Sequence, residues 1–230
     1  MVMDLYRNQS SSWPQKLWIL VCELALLAAS YPILFGSWGV RFAGWMGWAP
    51  GEQLARHALV FAFSAVVFVR MSYMMLALLR RTIPLEEAFS IPLAFVVYYV
   101  GFPLFTLRAE HPLGAWAALA VALFVIGSLL NTVSEVQRAR WKSRPENAGR
   151  LYTGGLFGWA RHINYFGDVL WATGYAVLSR NPWAATVPAL LLIFFAAYNV
   201  PKLDAHLREH YGADFESYAR TTARLIPFVY

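Results

Sequence analysis

Long apolar runs separated by short basic segments constrain this chain more than any other feature. Six stand out, at residues 17–35, 54–79, 88–107, 113–130, 163–178 and 183–200. An α-helix needs about 20 apolar residues to cross the hydrocarbon core of a bilayer. The core offers a backbone no hydrogen-bonding partner, so such runs must be helical. Composition agrees: 14% of the 230 residues are charged, against about a quarter in a soluble domain. The run at 163–178 is short and carries Asp168, so its contact with lipid should be partial. The expectation is an all-α, polytopic membrane protein of about six transmembrane helices, followed by short C-terminal amphipathic cytoplasmic helices.

The bases orient the helices. With the N-terminus inside, 14 of the 19 Lys and Arg fall in cytoplasmic segments. Arg41, Arg56, Arg108 and Arg180 lie in outer ones, and Arg70 stays within the membrane. Cytoplasmic loops carry such an excess, and one helix more or fewer would destroy it. It also accounts for the net charge of +6 without nucleic acid. Ten Trp and twelve Tyr suit aromatic belts at the headgroups. The first run follows a polar leader and reads as a retained helix, not a signal peptide. A bacterial cytoplasmic membrane is the expected location, or the endoplasmic reticulum in a eukaryote, with both termini cytoplasmic.

Residues 36–53, rich in Gly and Trp, read as an interfacial outer loop. Residues 201–226 alternate charged and apolar residues at helical spacing around Gly212, which predicts two short amphipathic helices. Without repeats or low-complexity tracts, the chain reads as one membrane domain, 1–230. Within it, 1–112 is the expected substrate side and 113–230 the cofactor-binding region.

The densest polar stretch runs from Asn131 to Asp168. Asn131, Glu135 and Arg138 recur at helical spacing on one face of the inner end of the fourth helix. Arg161, His162, Asn164 and Tyr165 crowd the entrance of the fifth, with Asp168 one turn further in. Polar groups at membrane depth are costly and tend to face a protein interior or cavity. Six bases from Arg138 to Arg161 against Glu135 and Glu146 suit an anion, either a nucleotide's phosphates or a lipid headgroup. Gly154–Gly158 is not GxGxxG and follows no strand, which excludes a Rossmann site. No HExxH occurs, and His206 with His210 reads as a solvated helix face, so no metal is expected. Cys22 lies in an apolar run without a base.

The stretch from Glu135 to Asp168, with Gln137, Pro145, Glu146, Asn147, Gly149, then GGLF, then ARHINYFGD, resembles the C-terminal domain of steroid 5-alpha-reductase-like membrane proteins. Their superfamily includes the sterol C14 reductases and the isoprenylcysteine carboxyl methyltransferases, and the ending HYGADFESYARTTARLIPFVY is similar to its closing segment. The resemblance covers about the last 100 residues. It implies a membrane enzyme that takes its cofactor from the cytosol. For the reductase branch this is NADPH, with Asn131, Glu135, Lys142 and Arg150 at positions of cofactor contact. Arg161, His162, Asn164, Tyr165 and Asp168 match the pattern Arg-His-Pro-Asn-Tyr-x-Gly-Asp, with Ile163 in place of proline. Tyr211, Tyr218 and Arg220 sit where relatives close over the cofactor. The methyltransferase branch shares Arg-His-x-x-Tyr-x-Gly and binds S-adenosylmethionine. Asn164, Asp168 and the PEN-x-G stretch favour the reductases.

The implied reaction is NADPH-dependent reduction of an activated C=C bond in a steroid, sterol or isoprenoid-like substrate reached from the bilayer. Methylation of a lipid or an isoprenylcysteine carboxylate is the alternative, and a non-catalytic lipid-binding protein the third reading. Reduction needs an acid to polarise or protonate the acceptor. In the steroid reductases a tyrosine and a glutamate of the N-terminal helices serve a carbonyl. Here Arg70, Tyr73 and Tyr98 are the candidates, with Tyr99 beside them. Arg70 also reads as a structural partner of Glu23, and the tyrosines as packing. Glu86 and Glu87 cap a helix dipole.

Overall fold

The computed structural model of the protein describes residues 12–48, 54–108 and 112–229. The polar leader and the end of the expected outer loop, 49–53, lie outside them. Among the described residues five helices are long and apolar enough to cross a membrane: Trp13–Phe35, Leu54–Leu78, Leu85–Thr106, Ala115–Lys142 and Pro182–Tyr211. The remaining expected run forms α7, Ile163–Ser179, of 17 residues. At 1.5 Å per residue that is roughly 25 Å, short of the ~30 Å hydrocarbon core.

Several of these helices are composite. The first is α1 (Trp13–Phe35), and the second joins α3 (Leu54–Tyr73) to a π-helical turn, Met74–Leu78. The third joins α4 (Leu85–Val96) and α5 (Phe102–Thr106) through a π turn, Val97–Gly101. The fourth is α6 (Ala115–Lys142). The last joins α8 (Thr186–Phe194) and α9 (Val200–Tyr211) through Phe195–Asn199, again π. Proline explains two of these turns. Pro103 and Pro201 have no N–H for the carbonyl four residues back. The ladder instead closes one residue wider, from Phe102 N–H to Val97 O and from Val200 N–H to Phe195 O. Each wide turn rotates the helix and re-aims its side chains.

Where an outer loop was expected, Ser37–Trp45 forms a short helix, α2. Gly36 breaks from α1 in an extended conformation and the chain restarts at once. Gly39 and Ala43, one turn apart, are buried, while Trp38 and Trp45 are exposed. A Cβ on Gly39 would lie 2.0 Å from the Ile33 carbonyl oxygen, so this close approach requires glycine. The C-terminal helices also differ in part. The first is the unbroken end of the last long helix. Gly212, at φ +52°, ends it, and α10 (Ala213–Thr221) follows.

The described chain forms two compact units, one of residues up to Ala120 with Tyr175–Ala185, the other of Val121–Gly174 with Thr186 onward. The first is cored by aromatic rings: Phe102 stacks on Tyr175 at 4.8 Å and Phe63 meets it edge-on at 5.3 Å. In the second, α6 and α7 approach closely at two glycines. A Cβ on Gly127 would lie 2.4 Å from Trp171 N, and one on Gly167 2.7 Å from Asn131 N. Small residues at a crossing let membrane helices come within reach of side-chain hydrogen bonds.

Candidate functional site

That crossing builds the polar network of the second unit. Asn131, buried on α6, donates from Nδ2 to Asp168 Oδ1 (2.9 Å) and to the Asn164 carbonyl (3.2 Å). Asp168 also accepts from Trp171 Nε1 at 2.8 Å. One turn along α6, Glu135 accepts from Asn164 Nδ2 at 2.9 Å and pairs with Arg138. Asn131 and Glu135 thus share one face of α6, as the helical spacing predicts, and there they meet Asn164 and Asp168 of α7.

His162 and Arg161 turn elsewhere. His162, buried, meets Asp204 Oδ1 through Nε2 at 2.8 Å. Arg161 reaches the other oxygen of Asp204 at 3.1 Å, and Arg224 joins it at 2.9 Å. Arg161 also donates to the carbonyls of Ala219 (2.8 Å) and Thr222 (3.0 Å). The backbone N–H groups of Arg161 and His162 bond to the carbonyls of Ala223 and Arg224. These residues therefore tie the start of α7 to α9 and the closing segment. Asp204 is the organising acceptor, and sequence reading missed it: it belongs to an unremarkable amphipathic helix 42 residues from His162. Tyr165 stacks between His162 (5.8 Å) and Phe195 (4.6 Å), the latter aimed by its π turn.

The loop between α6 and α7 rests on the same helix. Gln137 Oε1 accepts from Leu156 N–H at 3.0 Å and lies where a Cβ on Gly155 (φ +57°) would fall. Tyr218 donates to the Phe157 carbonyl at 2.6 Å, and burial pushes its phenol above the ordinary value, keeping it a neutral donor. Lys142 Nζ, exposed, donates to Tyr211 OH (2.8 Å) and to the Arg150 carbonyl (2.6 Å). Arg150 enters through its backbone, its side chain exposed, and Arg220 is exposed on α10 without joining these contacts. The buried Nε–H of Arg161 has no acceptor among the described residues. That orphaned donor, with exposed Arg140, Lys142, Arg144 and Arg150, gives the unit a donor set that fits a phosphate-bearing cofactor.

The first unit holds a second polar cluster. Glu23 on α1 and Tyr99 in the π turn are both buried and lie against each other. Neither Glu23 Oε2 nor Tyr99 OH closes a well-formed hydrogen bond among the described residues. Buried Arg70 lies within electrostatic reach of Tyr99 and of Tyr175, whose OH donates to Ser64 at 3.2 Å. Tyr98 packs against Phe95, Phe102 and Tyr175. Tyr73 is exposed near the end of α3 and stands apart from this cluster. Glu23 was legible only as a partner for Arg70. Its juxtaposition with Tyr99 depends on the wide turn at 97–101, which residue spacing does not reveal.

Comparison with known proteins gives relatives of two chemistries. The chain is 29% identical over 126 residues to human 3-oxo-5-alpha-steroid 4-dehydrogenase 2, covering 53% of this chain and 48% of that one. It is 30% identical over 151 residues to Delta(14)-sterol reductase erg24 of Schizosaccharomyces pombe, covering 55% and 35%. It is 26% identical over 116 residues to a probable protein-S-isoprenylcysteine O-methyltransferase of Oryza sativa subsp. indica, covering 48% and 61%. The chain thus spans between 35% and 61% of the length of these relatives. The resemblance to all three branches expected from the ARHINYFGD segment is therefore present. Residues 32–222, which hold both polar clusters apart from Glu23 and Arg224, match the family model described as "Protein of unknown function (DUF1295)", and this integral membrane protein belongs to that family.

Proposed function

We propose that the protein is an NADPH-dependent reductase of an activated C=C bond in a hydrophobic, steroid-, sterol- or isoprenoid-like substrate. The observation that carries this reading is the buried Glu23–Tyr99 pair, a carboxyl group set against a phenol in an apolar helical core. Conjugate reduction needs a proton donor at the carbonyl as hydride reaches the far carbon, whereas methylation of a carboxylate needs no acid. Tyr99 OH would donate to the carbonyl oxygen while Glu23 orients the phenol. The enol so formed would take a proton from water at the α-carbon while its O–H proton returns to Tyr99, so that the net addition is one hydride and one solvent proton. Tyr98 and Arg70 would shape this pocket, and Arg70 would stabilise negative charge developing on oxygen. When bound, NADPH supplies the hydride. Its phosphates would meet Arg161 Nε–H and the exposed bases between Arg140 and Arg150, and Asn131, Glu135, Asn164, Tyr165 and Asp168 its more deeply placed end.

The second reading is S-adenosylmethionine-dependent methylation, supported by the methyltransferase among the relatives. Thermal stabilisation of the detergent-purified protein separates the two. A ligand of the native state at 100 times its Kd adds about 2.7 kcal/mol. NADPH should raise the melting temperature and S-adenosylmethionine should not, and Asn164→Ala should weaken the NADPH response while the protein still folds. A response to S-adenosylmethionine alone overturns the reductase reading. No response to either favours a lipid-binding protein.

A further inference from the structure

One cavity in the first unit has no part in that chemistry. It has a volume of about 210 Å³ and lies beside the N-terminal ends of α3 and α6 and the C-terminal end of α7. Two arginines, Arg56 and Arg180, line it together with Trp116 and the Pro112–Gly114 segment. Arg56 is almost wholly buried, and its Nη1 caps α7 by donating to the Leu178 carbonyl at 2.6 Å. Arg180 is held over the Trp116 ring, 5.3 Å from its centroid. The two guanidinium groups repel each other electrostatically. Arg180 also takes a left-handed backbone conformation, φ +54°, just past a helix end, where glycine is the usual residue. Two guanidinium groups therefore line one small cavity, one of them held there at a conformational cost.

We propose that this cavity is a binding site for a phosphate group. Guanidinium forks match phosphate oxygens in geometry and charge. Trp116 stands at the start of a membrane-crossing helix, where aromatic side chains mark the headgroup level. The charge pattern assigns this end to the outer face. A phospholipid headgroup and a free phosphate ion present the same chemistry there. The site is independent of whether the enzyme is a reductase or a methyltransferase.

The test measures apparent melting temperature in neutral detergent in two arms. One titrates sodium phosphate against sodium chloride at equal ionic strength; the other compares micelles doped with phosphatidylglycerol or with uncharged diacylglycerol. Wild type should be stabilised in the lipid arm, in the phosphate arm, or in both, the pattern identifying the source. Arg180→Gln should raise the half-saturating concentration at least tenfold. Arg41→Gln, an equal loss of charge on exposed α2, should not. Arg180 is exposed, so its variant should fold even if Arg56→Gln does not. No stabilisation of wild type, or stabilisation unchanged in Arg180→Gln, overturns the proposal.

Discussion

The two polar clusters obey opposite rules. In the second unit Asn131, Glu135, Asn164, Asp168, His162 and Asp204 each have well-formed partners, and Asp204 alone gathers an imidazole and two guanidinium groups. In the first, Glu23 and Tyr99 are both buried, yet Glu23 Oε2 and Tyr99 OH reach no partner beyond each other among the described residues. A buried polar group left unsatisfied costs about 1–3 kcal/mol, so satisfied networks are structural assets and unsatisfied ones need another reason to persist. The second unit's network, complete but for Arg161 Nε–H, is a scaffold that positions backbone and cofactor contacts. The first unit's pair retains unfilled hydrogen-bonding capacity, as a group waiting for a substrate carbonyl does.

The contrast breaks most visibly at Asp204. Asp204→Asn leaves Arg161, His162 and Arg224 facing one another without their shared anion. Removing one member of a buried ion cluster costs about 3–5 kcal/mol. For a chain of this size that is on the order of 10 °C in melting temperature. The loss should fall on folding, and NADPH affinity should weaken with it, because Asp204 holds Arg161 in place. A melting temperature within 2 °C of wild type (roughly the effect of 1 kcal/mol or less) would show that Asp204 does not hold the closing segment to α7.

Gly127→Ala comes next. Its Cβ would press on Trp171 N and the Gly167 carbonyl, and backbone cannot swing aside as a side chain can. Forcing such a contact costs about 1–3 kcal/mol. The strain also parts Asn131 from Asp168, so cofactor-dependent stabilisation should shrink together with intrinsic stability. Wild-type stabilisation by ligand in a destabilised Gly127→Ala would separate the helix crossing from the binding site.

What the sequence could and could not reveal follows the same division. Helix positions were legible because a bilayer admits few alternatives for an apolar run. Asn131, Glu135 and Arg138 were legible as one face because α6 continues regularly to Lys142. Asp204 was not, since nothing local marks one acidic residue of an amphipathic helix as the partner of a motif 42 residues earlier. Arg161 carried the right motif, yet its role is largely a tie to Asp204 and to carbonyls, which only the closing segment's path discloses. The α2 helix was hidden because its inward face is made of Gly39 and Ala43, small residues that read as loop. The Glu23–Tyr99 contact was hidden by phase. Pro103 is visible in the chain, but the rotation introduced by its wide turn decides which tyrosine faces α1.

Glu23→Gln should have the smallest effect on the fold and is the sharpest test of the comparison. Glutamine keeps the size and one acceptor of glutamate, so the contact with Tyr99 can persist. Melting temperature should move by no more than the equivalent of about 1 kcal/mol in either direction. If Glu23 orients Tyr99 as the proton donor, turnover of an enone substrate should fall by about 10² to 10⁴, the usual contribution of a positioned acid. NADPH affinity should be unchanged, because the cofactor contacts lie on other helices. Tyr99→Phe should lose as much turnover, and the double variant little more than either alone, since residues acting as a unit are not additive. A Glu23→Gln protein that loses stability in step with activity would place Glu23 among the structural ties, and the first unit's cluster would then follow the same rule as the second's.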